Sequence, residues 1–152
     1  MAEGIMKNFI LDEFDEKQQI VPMEVLSAGT YAQNGYPASS HAIEVADKHG
    51  INLQFHRSRM ITEQLVNYAD LILTMEENHV QYIRQLVPDI TGVYELKRYG
   101  RDSELSKDSF DVLDPIGRDI SVYREVYGEL EEEIKRISQK VFSLALEKYR
   151  SK

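Results

Sequence analysis

The sequence predicts an α/β domain with a parallel sheet flanked by helices. Three observations predict it. Helix-spaced and extended apolar segments alternate along the chain, the run "LILTM" suits a strand buried on both faces, and the chain closes on a long amphipathic pattern.

The elements follow in order. Between Met1 and Phe14, apolar residues at Ile5, Met6, Phe9, Ile10 and Phe14 recur three to four apart, as on one face of a helix. "QQIVPMEVLSAGTY" then turns extended, which predicts a strand over Met23–Ala28. "QNGYPASS" has loop chemistry, and Ser40 is placed to cap a helix through "HAIEVADKHG" that Gly50 stops. Thr62 is the expected N-cap of a short helix ahead of the "LILTM" strand. "EENHVQYIRQLVPD" begins acidic and ends at Pro88, as a helix does, and "GVYEL" supplies a further strand. "GRDSELSKDSFDVLDPIGRD" is a polar connection rich in turn formers. Val126, Leu130, Ile134, Ile137, Val141 and Leu144 then mark one face of the last, long helix. In this order no strand precedes the first helix.

The 152 residues, 42% apolar and 29% charged, fit one soluble domain spanning 1–152 with one hydrophobic core. No apolar run approaches the roughly 18 residues of a membrane span, and the N-terminus lacks the pattern of a signal peptide, so the expected address is the cytoplasm. A net charge of -8 without a Lys/Arg cluster argues against nucleic acid or an anionic membrane as partner. The chain contains no cysteine, which removes disulfides, thiolate zinc sites and every cysteine nucleophile. His41 and Glu44 share a helix face without a further ligand at metal spacing, and Asp108, Asp111 and Asp114 lack an accompanying phosphate-binding glycine run, so no metal and no other cofactor is expected.

"MAEGI", "SAGT", "HRSRMIT", "ADLILTME" and above all "DVLDPIGRDISVYREVYGELEEEI" resemble the low-molecular-weight protein tyrosine phosphatase family, over essentially the whole chain. The resemblance implies a three-layer sandwich of the phosphotyrosine protein phosphatase I type. It also implies a first, central strand ending in a phosphate loop, Cys-x5-Arg-Ser-Pro, directly before "MAE". In the family the cysteine thiolate attacks phosphorus and forms a cysteinyl-phosphate, while loop N–H groups and the loop arginine hold the oxyanions. This chain is therefore expected to be an N-terminally truncated, phosphatase-like domain whose own residues do not turn over substrate.

Carried over residue by residue, Asp114 in "DPIG" matches the general acid, which protonates the leaving oxygen or nitrogen and later activates water. Pro115 stiffens the turn that presents it. Read without the resemblance, an Asp before Pro initiates a turn. His56 in "HRSR" matches a histidine that braces the serine of the phosphate loop; read alone, it is a surface or capping residue that has lost its partner. Tyr31 matches an aromatic wall of the substrate cleft, its alternative being core or hinge packing, and Arg59 matches a family position that an ion-paired surface arginine would fill equally well. Tyr123 and Tyr127 sit at helical spacing and are expected to pack.

Tyrosine-specific members carry two tyrosines after the Asp-Pro pair. Ile116 and Gly117 stand there instead, closer to the bacterial protein arginine phosphatases, and the phosphorylated protein substrate is left open between phosphotyrosine and phosphoarginine. Arsenate reductases share the fold but need further cysteines, which this sequence excludes. Losing a central strand of about five buried residues removes on the order of 10 kcal/mol, comparable to the whole stability of a domain. The sequence thus predicts one of two things: an upstream start that restores the strand and loop, or borrowed pairing in a homodimer. A catalytically dead pseudophosphatase acting as a binding or dimerisation module is the alternative function.

Overall fold

A computed structural model describes residues 1–17, 23–101 and 110–151, with side chains omitted for 12–17. The Phe14 side chain, and Asp108 with the 102–109 part of the polar connection, lie outside what is described. The chain groups into two compact units, one of Met1–Ser27, Ala38–His56 and Pro115–Lys152, the other of Ala28–Pro37 and Arg57–Asp114.

The first unit is helical. Helix α1 (Ala2–Lys17), α2 (Ser40–Asp47) and the 31-residue α5 (Ile120–Arg150) form it, with α5 packing against both others. Ile5, Met6 and Ile10 are buried on α1 as their spacing requires, and Phe9 is half-buried. On α5 the buried stripe is Tyr123, Val126, Tyr127, Leu130, Ile134 and Ile137, and it passes to Phe142 where the spacing had pointed to Val141 and Leu144. Glycine at position 4 allows α1 to approach closely, since a Cβ there would stand 2.4 Å from the Ile51 side chain. The cap of α2 is Ser39, one residue before the expected Ser40: its Oγ accepts from the Ala42 N–H at 3.2 Å. Gly50 closes the helix, with the Ile51 N–H returning to the Ala46 carbonyl.

The second unit holds the sheet. Helix α3 (Glu63–Tyr68) is capped by Thr62 as expected, and strand β1 (Ile72–Thr74) runs parallel to β2 (Val93–Glu95) through the intervening α4 (Glu77–Leu86). Val66, Val80, Ile83 and Val93 are its core. Helix α4 ends where Val87 turns extended before Pro88.

Two findings depart from the predicted sheet. Met23–Ala28 alternates in exposure like a strand, but the chain joins a bridge only at Gly29, opposite Met60. Its apolar alternation is present without a ladder, because pairing depends on a neighbour that the segment itself does not specify. The second departure is in β1. Ile72 donates to the Gly92 carbonyl, and the Thr74 carbonyl accepts from the Leu96 N–H, so both residues face β2. Leu73 therefore turns its N–H and C=O to the opposite edge, where no partner is found among the described residues. Leu71, Ile72 and Leu73 are only half-buried, although the apolar run predicts cover on both faces.

Candidate active site

Asp114 is exposed and lies two residues beyond Val112, which is buried and donates its N–H to the Met75 carbonyl at 2.7 Å. Met75 directly follows β1, so this bond ties the approach to Asp114 to the end of a sheet strand. Beyond Asp114 the chain turns tightly. The Arg118 N–H donates to the Pro115 carbonyl at 3.0 Å, and Gly117 sits at φ 73°, a conformation that a side chain would strain. Ile116, on the turn, is 74% exposed.

His56 has a partner after all. Its Nδ1 lies 3.7 Å from a Glu3 carboxylate oxygen on the first turn of α1, and Ser27 Oγ donates to that same oxygen at 2.5 Å. Lys7 Nζ reaches the other Glu3 oxygen at 2.5 Å. Burial alone would raise the pKa of Glu3. The hydrogen bonds from Lys7 and Ser27, together with the Lys7 and His56 charges, outweigh it and hold the carboxyl below its ordinary value. Glu3 thus gathers three segments of the first unit, its carboxylate standing beside the His56 ring.

The sign of this linkage gives a prediction. A carboxyl whose folded pKa lies below the ordinary 4.5 contributes stability that is present above 4.5 and is lost as pH falls through the lower folded value. Glu3→Gln is expected to melt below the parent at neutral pH, and the two melting temperatures are expected to converge as pH falls below the ordinary 4.5 and through the lower folded value. A gap that stayed constant over that range would show the carboxylate charge to be irrelevant.

Tyr31 is 89% exposed, so it is not core packing; its ring lies 6.3 Å from that of Tyr82, tilted by 51°. Tyr31 and Asp114 belong to the second unit and His56 to the first. Arg59 joins the second unit through its carbonyl, which accepts from the Gly29 N–H. Tyr123 and Tyr127 are buried, as expected. His41 packs its ring edge against Tyr123 and Glu44 pairs with Lys48, so these two serve the helix. Asp111 binds the start of α4. No group of three or more His, Asp or Glu residues that could hold a metal occurs among the described residues.

Glu3 and Ser27, which meet each other beside His56, are contacts that sequence reading missed. Both lie in singled-out motifs, "MAEGI" and "SAGT", but nothing local signals that side chains 24 positions apart meet.

Residues 1–147 match the profile of the family described as "Low molecular weight phosphotyrosine protein phosphatase". The chain is 30% identical over 141 residues to the protein-arginine-phosphatase of Bacillus subtilis, covering 93% of this chain and 87% of that one. It is also 30% identical over 115 residues to the low molecular weight protein-tyrosine-phosphatase Etp of Escherichia coli, covering 76% and 74%. Among solved structures, the YwlE arginine phosphatase of Geobacillus stearothermophilus superposes with a TM-score of 0.76 at 31% identity, over 96% of this chain and 86% of that one. With the parallel sheet, the Pro-led turn after Asp114 and the match from Met1 to Glu147, this chain belongs to the low-molecular-weight phosphotyrosine protein phosphatase family.

Proposed function

We propose that this chain is the body of a protein phosphatase acting on phosphotyrosine or phosphoarginine in cytoplasmic proteins, with Asp114 as general acid and His56 as support for the phosphate-binding loop. One observation carries the reading: in a member of a phosphatase family, Asp114 is an exposed carboxyl between a tied-down approach and a rigid turn. The chemistry needs a nucleophile that these 152 residues lack. A strand and a Cys-x5-Arg loop N-terminal to Met1 would supply it, and the N–H and C=O of Leu73, which have no partner among the described residues, are what such a strand would pair with.

In the completed enzyme the thiolate attacks phosphorus as the bond to the leaving oxygen or nitrogen breaks. Asp114 gives that leaving atom its proton. The Asp114 carboxylate then takes a proton from water, which attacks the cysteinyl-phosphate and releases phosphate and the thiolate. Tyr31, 89% exposed, is the aromatic that the family resemblance offers as a wall of the substrate cleft. Ile116 and Gly117 in place of a tyrosine pair favour phosphoarginine, whose slot need not stack on an aromatic ring.

The purified 152-residue chain is expected to hydrolyse neither p-nitrophenyl phosphate nor phosphoarginine above background. Robust turnover that survives repurification would overturn the cysteine-dependent mechanism. The companion experiment reads about 20 in-frame codons upstream of Met1, enough for a strand and loop at roughly 3.3 Å per strand residue. An apolar strand followed by Cys-x5-Arg supports the enzyme; its absence supports the second reading, a pseudophosphatase. That reading is favoured by the same unpaired Leu73 edge, through which a second copy would pair into a homodimer. A monomer by sedimentation equilibrium at high concentration would remove it.

A further inference from the structure

We propose that Asp111 is a positioning residue for the Asp114 loop, holding the segment Phe110–Asp114 to the start of α4 through its side chain. The proposal deepens the role assigned to Asp114 and rests on that reading.

Helix α4 begins with a vacancy in its own capping. The residue at its N-cap, Glu76, makes no side-chain cap bond, so the first N–H groups of the helix look outside it for an acceptor. Asp111 supplies one from 34 positions away: its Oδ1 accepts the Glu77 N–H at 3.1 Å. A carboxylate is well suited to this place, since it meets the positive end of the helix dipole as well as the donor.

Three other contacts hold the same segment. The Val112 N–H donates to the Met75 carbonyl at 2.7 Å, Lys97 Nζ donates to the Asp111 carbonyl at 2.6 Å, and the Arg98 guanidinium lies 4.6 Å over the Phe110 ring. Arg98 is itself steadied by Glu95, whose buried carboxylate accepts from its Nε at 2.7 Å. Two of these contacts use main-chain atoms of the segment, so any sequence could make them there. The bond to Glu77 depends on the side chain at position 111. It is also the contact that fixes the segment to a helix and not only to the strand ends. Leu113 and Asp114 are exposed, and the hold on the residues immediately before them contributes to aiming Asp114.

The absence of cysteine makes the test direct, because a single introduced cysteine takes a nitroxide label at one place. Leu113→Cys, at a position 54% exposed, reports on the segment, and Gln81→Cys, on the exposed side of α4, reports on the helix. Each is combined with Asp111→Ala and with Asp111→Asn, which keeps the acceptor oxygen. In Asp111→Ala the label at 113 is expected to move faster by on the order of threefold or more, while the label at 81 is unchanged. Asp111→Asn is expected to restore most of the immobility. A label at 113 as slow in Asp111→Ala as in the parent would overturn the proposal. So would equal loosening at 81, which would make Asp111 a plain helix cap, or an Asn variant no better than Ala. None of these readouts depends on turnover, so they fail separately from the assignment of Asp114 as the acid.

Discussion

With a strand and a Cys-x5-Arg loop of the family type fused ahead of Met1, Asp114→Asn is expected on the proposed reading to lower kcat by about 10²–10⁴-fold, or roughly 3–5 kcal/mol of transition-state stabilisation. The loss should grow as the leaving group becomes more basic. An aryl oxide stabilised by a nitro group departs without much help, whereas an alkyl-substituted phenolate or a guanidinium nitrogen needs the proton in the transition state. A series of aryl phosphates therefore separates the role from a structural one: the parent should show a shallow dependence of rate on leaving-group pKa, and the Asn variant a steep one. Parallel dependences in the two proteins would take the general-acid role away from Asp114. Asn preserves the size and the exposed position of the side chain, so a change in stability is not expected to confuse the result.

The sequence made these roles legible unevenly. Periodicity identified the buried face of α5 as far as Ile137, because a helix repeats its own geometry and needs no neighbour to define its inward side. Thr62 was readable for the same reason: its bond to the Leu65 N–H closes within one turn. Pro88 and the turn at Pro115–Arg118 were likewise local. What could not be read was pairing. Met23–Ala28 carries the alternation of a strand without a ladder, and the run at Leu71–Leu73 is apolar enough for full burial yet stays half-covered. In both places the residues record an environment that depends on what lies beside them. The candidate site divides along the same line. The turn after Asp114 was legible from "DPIG", while the carboxylate facing His56 and the side chain that ties Phe110–Asp114 to α4 come from residues 53 and 34 positions away in sequence.

Ile134→Ala should be among the most damaging substitutions in the helical unit, lowering unfolding free energy by about 2–5 kcal/mol. Ile134 is 1% exposed on α5, the helix that packs against both α1 and α2. Truncation there removes buried methyl groups and leaves a cavity that three helices would have to shift to fill. Against a typical total of about 5–15 kcal/mol this is a large fraction, and Ile134→Val, which removes one methylene, should cost only about 0.5–1.5 kcal/mol. Urea titration should show the midpoint falling with an unchanged slope, since the surface exposed on unfolding is nearly the same. The contrast with Asp114 extends to function. Below its melting temperature the Ile134→Ala protein, completed with the strand and loop, should keep the parent's kcat, because α5 supplies no group to the reacting atoms. A drop in kcat with stability intact would mean that the packing of α5 governs the geometry of the site, and that the helical unit takes part in positioning as well as in folding.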